Sequence, residues 1–342
     1  MKRIAKITVA LLLAVAMCFS LAGCYDEDLN WSAKYDDTEL PAGAYIYYLS
    51  IAYNEAASKV STEDEVLKSE IDGTPAETWI KNRADEYVNQ YFYIQNEMKR
   101  LGLEMTDEDY STCLQTTESY WNYFGTSFEK FGIAKPSFDI AYSQYNRMYL
   151  KVFNALYGEG GENEVPESEL RQHIEDDYYD YEYFSAPLTK TDDDNKSVDL
   201  TDEEKADLKE TLEKYKTKIE SGAMTVNDAA TDYALKVQQD STYQTGIKDE
   251  NGMQSSYMPD AFISAIKEMN EGDVEVVEST KYMIVLHRLP IKDDEDTLLE
   301  SSDNRSQLLL ELKNTEYADA VSAAAQSFEG VEWNQKVLNR YK

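Results

Sequence analysis

The spacing of apolar residues changes along this chain, and that change constrains the fold more than any other feature. From residue 41 to residue 177, apolar side chains recur every three or four positions, as at Tyr45, Tyr48 and Ala52, which predicts helices. Residues 179–186 instead alternate polar and apolar side chains, which predicts a strand. We therefore expect an α+β fold, mainly helical in its first half.

The first half is predicted to be almost entirely helical. Thr106 and Asp109 have the spacing of a capping box, and Gly125 is expected to break the helix that they begin. Many of the 27 tyrosines fall on these helices, where they serve either helix packing or an adaptable apolar surface for extended polypeptide. The predicted helices span residues 42–59, 76–101, 106–124, a short stretch ending near 132, 136–156 and 167–177.

The second half mixes helices and strands. Thr201 and Glu204 form another capping-box pattern. A polar segment, 238–256, is predicted to be loop or short strand. The C-terminal helix is not needed to complete the strand-containing part, so we expect it to return to the helical first half. The predicted elements are strands at 179–186, 274–278 and 282–289, and helices at 201–222, 226–235, 259–272 and 304–326.

The N-terminus has the pattern of an export signal. A short basic region, residues 1–6, precedes an apolar stretch to Leu21, which is short for a stable membrane span. Leu21-Ala22-Gly23-Cys24 then resembles the bacterial lipobox, in which the chain is cut before the cysteine and the cysteine is lipidated. We expect a lipoprotein signal peptide at 1–23, a polar tether at 24–40, and a mature chain anchored by Cys24 on the extracytoplasmic face of the cell membrane.

Charge and cysteine content exclude several functions. Loss of the three positive charges of residues 1–23 takes the formal net charge from −33 to −36, which disfavours nucleic acid as a partner. Cys113 would be the only free thiol and is expected to be buried. Two histidines and one thiol are too few for a zinc site, and the Asp192 loop has Ser197 where a calcium loop requires glycine. No metal or cofactor is predicted.

The arrangement resembles the parvulin-containing foldase lipoproteins of the PrsA and SurA type. Met258-Pro259-Asp260-Ala261-Phe262, followed by Gly272, is similar to the family's segment that forms the floor of a proline pocket. The resemblance implies a SurA-like helical chaperone module at 41–177, an inserted parvulin-like (FKBP-like) domain at 178–290, and a C-terminal helix, 291–342, that returns to the module.

The resemblance also assigns roles to individual residues. Met258 and Phe262 would hold the proline ring. Active parvulins usually carry a histidine on the first strand and another on the last, and these positions fall near Tyr183 and Met283 here. Asp240 corresponds to the family's central Cys or Asp. Tyr183, Asp240 and Met283 are therefore candidates for the catalytic positions, although the usual histidines are missing.

Two functions follow from this resemblance. The first is an extracytoplasmic, membrane-anchored foldase that assists exported polypeptides by peptidyl-prolyl cis-trans isomerisation. The second is a chaperone or scaffold lipoprotein that binds unfolded polypeptide without catalysis. A solute-binding lipoprotein is a third possibility, but repeated strand–helix units would be expected for it, and the helical first half argues against them.

Overall fold

The structure is a computed structural model that describes residues 30–60, 63–192, 194–237 and 240–340. Cys24 and the predicted signal segment lie outside these residues. The chain divides into two compact units. Of the described residues, the helical unit comprises 30–164 and 313–340, and the sheet unit comprises Val165–Leu312. Within the described ranges, no helix is both long and apolar enough to cross a membrane.

The chain up to residue 164 is mainly helical. Its elements are β1 (Trp31–Tyr35), β2 (Thr38–Pro41), α1 (Ala42–Ser58), a 3₁₀ turn (Glu63–Lys68), β3 (Glu70–Ile71), β4 (Thr74–Pro75), α2 (Ala76–Arg100), α3 (Asp107–Lys130), α4 (Lys135–Phe138), a π-helix (Asp139–Gln144) and α5 (Tyr145–Tyr157).

The chain from residue 165 alternates helices and strands before a long helix. Its elements are α6 (Glu167–Asp177), β5 (Tyr178–Pro187), β6 (Thr189–Thr191), β7 (Ser197–Asp199), α7 (Asp202–Glu220), α8 (Val226–Val237), β8 (Gln244–Asp249), α9 (Glu250–Ser255), α10 (Asp260–Glu268), β9 (Val274–Glu278), β10 (Tyr282–Leu289), a 3₁₀ turn (Ile291–Asp293), α11 (Glu295–Glu300), α12 (Ser302–Gln326), β11 (Glu332–Trp333) and α13 (Gln335–Leu338).

Helix α1 forms the centre of the helical unit. It begins after Pro41, and most of its residues are buried on every side, including Tyr45, Tyr47 and Tyr48. A helix that is apolar around its whole circumference is stable only inside a core, so the other helices pack around it. Helix α3 begins with the predicted capping box, in which Thr106 and Asp109 each bond the other's backbone N–H.

Two expectations for the helical unit are wrong. Residues 31–35 and 38–41 are paired strands, so the tether predicted for 24–40 does not extend to residue 40. Helix α3 does not break at Gly125 but continues to Lys130. A Cβ at Gly125 would lie 2.6 Å from Nε1 of Trp121, one turn earlier, so glycine is required because the indole ring lies directly over the helix backbone.

The C-terminal residues of the chain join the helical unit. Strand β11 pairs antiparallel with β1, with Ala33 opposite Trp333. The Asn334 side chain also donates to the Trp31 carbonyl at 3.0 Å. In the last part of α12, the Ala325 carbonyl accepts from the Asn89 side chain at 3.0 Å. The helical unit is therefore built from chain segments on both sides of the sheet unit.

The sheet unit contains a four-stranded antiparallel sheet in the order β8-β5-β10-β9. Successive side chains of a strand point to opposite faces. Phe184 and Val285 thus face one core, with α7 and α8, whereas Tyr181 and Ile284 face a second core, with α9 and α10. Both faces of the sheet are covered by helices.

One segment of the sheet unit is more ordered than the sequence indicated. The polar stretch 238–256 contains strand β8 and helix α9. Gly246 of β8 pairs with Tyr181 of β5, and a Cβ there would lie 2.8 Å from the Tyr181 hydroxyl. Glycine at this position therefore lets the Tyr181 ring lie across the edge strand.

Candidate functional site

The start of α10 brings three of the predicted residues together. Met258 precedes the Pro259 N-cap, and Phe262 lies in the first turn. The rings of Tyr181 and Tyr183 on β5 each lie 5.2 Å from the Phe262 ring, at steep interplanar angles of 79° and 70°. The Tyr181 hydroxyl donates to Sδ of Met258 at 3.6 Å. The proximity of Met258, Phe262 and Tyr183 follows from helix α10 packing against this face of the sheet.

Phe262 belongs to the buried core, and Tyr183 and Met258 pack against it while remaining partly exposed. Phe262 is only 1% exposed, because the two tyrosine rings cover it. Burial raises the pKa of the Tyr183 hydroxyl, so at neutral pH this group stays protonated and does not act as a base. The site therefore offers an aromatic contact and a hydroxyl group.

Met283 does not belong to this site. It is buried on the other face of the sheet, in the core that contains Phe184 and Val285. The residues of β10 that share a face with Tyr183 are Ile284 and Leu286, and Leu286 pairs directly with Tyr183. Successive residues of a strand point to opposite faces, so Met283 faces away from Tyr183 and Phe262.

Asp240 is also not brought to the α10 site by any described contact. It is exposed in the segment between α8 and β8. His287 shares the Met283 face, as expected from strand spacing, and Nδ1 of His287 lies 2.9 Å from a carboxylate oxygen of Glu182. Tyr243 donates to the other oxygen of Glu182, also at 2.9 Å. Burial would raise the pKa of Glu182, but the bonds from His287 and Tyr243 lower it below its usual value.

A second candidate site lies in the helical unit, and sequence reasoning did not locate it. It is a cleft of about 230 Å³ between α1, α3, α4 and the π-helix, which we call the aromatic cleft. Its surface is mostly apolar. The lining residues are Tyr47, Ser50, Ile51, Asn54, Tyr120, Phe124, Phe128, Phe138 and Tyr142.

The rings of the aromatic cleft hold one another in place. Phe138, which is almost fully buried, stacks on Phe128 at 4.9 Å and on Tyr142 at 5.2 Å, and it meets Tyr47 edge-on at 5.3 Å. The Tyr142 hydroxyl donates to the Tyr120 hydroxyl at 2.8 Å. Aromatic pairs in such geometries are attractive beyond their buried area, so the apolar surface is preformed.

The π-helix positions Tyr142 in the cleft. A π-turn disrupts the regular α-helical bonding, and its backbone groups need other partners. The hydroxyl of Tyr48 donates to the Ala141 carbonyl at 3.2 Å, and Sγ of Cys113 donates to the Ser143 carbonyl at 3.5 Å. Thr117 donates to the buried Asp139 carboxylate at 2.7 Å. Side chains from α1 and α3 thus fix this segment, and no local pattern in the sequence indicates it.

Among the residues that the structure describes, no group of three or more His, Cys, Asp or Glu side chains is arranged to hold a metal ion.

The chain forms a helical unit, built from segments that precede and follow the sheet unit in the sequence, and a sheet unit whose antiparallel sheet is covered by helices, which makes it a mainly helical α+β protein. Solved structures of one family, the foldase protein PrsA, are similar to this chain. The Streptococcus pneumoniae protein is 14% identical, with 78% of this chain and 96% of the other covered and a TM-score of 0.39. The Lactococcus lactis protein is 12% identical, with 91% and 99% covered and a TM-score of 0.37.

The Bacillus subtilis PrsA structure is 14% identical, with 81% of this chain and 93% of the other covered and a TM-score of 0.32. The chain matches no protein-family description and no curated protein. Similarity at these identities and TM-scores assigns no role to any residue.

Proposed function

We propose that this protein is an extracytoplasmic, lipid-anchored chaperone that binds unfolded segments of exported polypeptides without isomerising their X–Pro bonds. The observation that carries the proposal is the aromatic cleft of the helical unit. The N-terminal pattern ending at Cys24 supports the location, since a lipidated cysteine would hold the chain where polypeptides emerge from export.

The composition of the cleft suits unfolded polypeptide. Its rings offer apolar contact that does not depend on one side-chain shape, while the hydroxyl group of Tyr120 and the amide of Asn54 can bond to an extended backbone. A chaperone needs this combination, because its clients share a backbone and exposed apolar side chains but no common sequence.

The net charge of the protein indicates which client segments it would attract. The mature chain would carry a formal charge of −36, and such a field attracts cationic segments and repels acidic ones. We therefore expect the cleft to prefer apolar side chains flanked by lysine or arginine, with binding that weakens as salt is added.

The residues of the α10 site favour binding without catalysis. An isomerase must stabilise the twisted X–Pro bond against a barrier of about 18–20 kcal/mol, using an apolar pocket for the ring and polar groups placed for the twisted state. Phe262 is covered by Tyr181 and Tyr183, and the strand residues beside Tyr183 are Ile284 and Leu286. A site so poor in titratable groups has little means to stabilise that state.

The test measures two activities of the soluble chain beginning at residue 25. One assay follows aggregation of a denatured client, and the other follows a refolding reaction limited by proline isomerisation. Tyr120→Ala combined with Phe124→Ala removes two rings from the cleft. Tyr123→Ala is the matched control, because Tyr123 lies on the same helix, is 85% exposed and does not line the cleft.

We expect the unchanged chain to slow aggregation, the double variant to bind client at least about tenfold more weakly, and the control to behave like the unchanged chain. Thermal unfolding would verify that both variants are folded. Equal protection by the double variant would exclude the cleft as the binding site. Accelerated refolding that is lost in Phe262→Ala would show instead that the α10 site catalyses isomerisation.

A further inference from the structure

His173 in the sheet unit lies between two carboxylates. It is on α6, and its side chain is 14% exposed. Nδ1 lies 2.8 Å from an oxygen of Asp177, one turn later on the same helix, and Nε2 lies 2.9 Å from an oxygen of Glu311 on α12. The Tyr178 hydroxyl donates to the same Glu311 oxygen at 2.8 Å. Both ring nitrogens therefore face acceptors.

This geometry requires two protons on the ring. An ionised carboxylate only accepts hydrogen bonds, whereas a neutral imidazole has one N–H donor and one lone pair. A neutral ring at His173 would thus direct its lone pair at the oxygen of Asp177 or of Glu311. Only the imidazolium form donates both bonds, and it also places a positive charge between two negative ones.

We propose that His173 is a proton-dependent clamp that holds the end of α6 against α12 when the ring is charged and releases it as the pH rises. Histidine is the side chain that ordinarily changes charge between about pH 5 and 8. On the outer side of a membrane, as proposed above, it would respond to the pH of the medium.

The other titratable groups that face His173 are mainly acidic. The ring borders a cavity of about 560 Å³, and Asp249 and Glu250, at the junction of β8 and α9, line the same cavity. Among the described residues that line it, His173 is the only basic side chain. Burial and the bond to Glu311 raise the pKa of Tyr178, so its hydroxyl stays a donor across this range. Glu250 is paired with Lys267 at 2.5 Å, so loss of the imidazolium charge would remove the cation that faces the other three carboxylates, Asp177, Asp249 and Glu311.

Permanent ion pairs hold α6 on both sides of His173, since Lys292 bonds Glu175 at 3.1 Å. Arg171 bonds Glu167 at 2.8 Å, Glu295 at 2.5 Å and Asp296 at 2.7 Å. An arginine stays charged at any physiological pH. Deprotonation of His173 would therefore not detach the helix but would loosen its C-terminal turn, where α6 leads directly into strand β5.

A second group near this junction responds to protons in the same direction. Asp180 is buried on β5, and burial together with the neighbouring Asp294 carboxyl raises its pKa. A raised carboxyl pKa means that the folded chain binds more protons than the unfolded chain, so its contribution to stability falls as the pH rises through that range. An experiment on His173 must therefore distinguish the effect of Asp180 from that of His173.

The other histidine is a natural control. Nδ1 of His287 faces a single carboxylate, that of Glu182, and a neutral imidazole can donate that one bond. Deprotonation of His287 thus leaves its contact intact, and His287→Gln matches His173→Gln in size and chemistry.

The test is hydrogen exchange by mass spectrometry on the full chain in mild detergent, at about pH 6 and about pH 8, corrected for the intrinsic exchange rate. We expect the amides of residues 170–180 to lose about tenfold in protection at the higher pH. His173→Gln should remove most of this pH dependence, and His287→Gln should keep it.

Asp180→Asn, which replaces the second group by a neutral amide, should keep the His173 share of the pH dependence. Equal protection of residues 170–180 at the two pH values in the unchanged chain would overturn the clamp, as would a pH dependence unaltered by His173→Gln. If only Asp180→Asn changed the pH dependence, the effect would belong to the Asp180 and Asp294 carboxyl groups, and the proposed His173 clamp would again be overturned.

Discussion

Replacing Asp109 by asparagine tests what holds the first turn of α3, the helix that supplies Tyr120, Phe124 and Phe128 to the aromatic cleft. The Asp109 carboxylate is 2% exposed and accepts from Nε of Arg147 at 2.5 Å and from Nζ of Lys151 at 2.6 Å, both on α5. It also accepts from the Thr106 backbone N–H at 2.9 Å. One side chain thus caps α3 and binds it to α5.

The expected loss of stability follows from these contacts. A hydrogen bond to a charged group contributes roughly 1.5–3 kcal/mol, but Arg147 and Lys151 are 35% and 24% exposed, so water partly replaces the lost partner. Asparagine keeps an oxygen for the cap. We therefore expect Asp109→Asn to lower the free energy of unfolding by about 2 kcal/mol. Asp109→Ala also loses the cap and should cost about 1 kcal/mol more.

The assay is urea unfolding followed by tryptophan fluorescence. All four tryptophans of the chain, at positions 31, 79, 121 and 333, belong to the helical unit, so the signal reports on that unit. Asp107→Asn is the control, because Asp107 is exposed in the same turn, and it should cost about 0.5 kcal/mol or less. A loss of less than about 0.5 kcal/mol in Asp109→Asn would refute the reasoning.

The contribution of Asp109 to stability depends on pH with a definite sign. Burial alone would raise the pKa of Asp109, but bonds from Lys151, the Thr106 backbone and Arg147 outweigh burial and hold the pKa well below the usual carboxyl range. A lowered pKa contributes stability that is complete above the unfolded value of about 3.9 and is lost as the pH falls through the folded value. The difference between the unchanged chain and Asp109→Asn should be constant from neutral pH to about pH 5 and should shrink below about pH 4.

Two further predictions concern the cysteines. Cys24→Ala should move the protein from the membrane fraction to the soluble fraction or leave it with an uncut signal, and unchanged fractionation with a cleaved signal would argue against lipidation. Cys113 should resist thiol reagents until the chain unfolds, because it is 2% exposed and burial raises the pKa of its thiol; rapid labelling of the folded chain would contradict its position between α3 and the π-helix.

The local pattern of the sequence predicts most helices and strands of this protein. Strands β9 and β10 lie at the predicted residues, and the capping boxes at Thr106 and Thr201 are both formed. These features depend on neighbours within a few positions, namely the spacing of apolar side chains and the bonds of the first helical turn. The proximity of Met258 and Phe262 was also predictable, because Met258 immediately precedes one short helix and Phe262 lies in its first turn.

Where local pattern was insufficient, a distant residue decided the result. Gly125 stays helical because Trp121 covers it, and the predicted tether shortens because β1 pairs with residue 333 near the other end of the chain.

By itself, the sequence determined the acidic charge, the helical first half, the alternation of β5 and the N-terminal lipobox pattern, because each is set by composition or by short-range spacing. Only the tertiary structure decided that Met283 faces away from Phe262, that two tyrosine rings pack against Phe262, and that rings from three helices and a π-turn form a cleft. It also placed His173 beside Glu311, 138 positions away. The reason is physical: strand register and helix packing bring together side chains that are far apart in the chain, and no local periodicity encodes those distances.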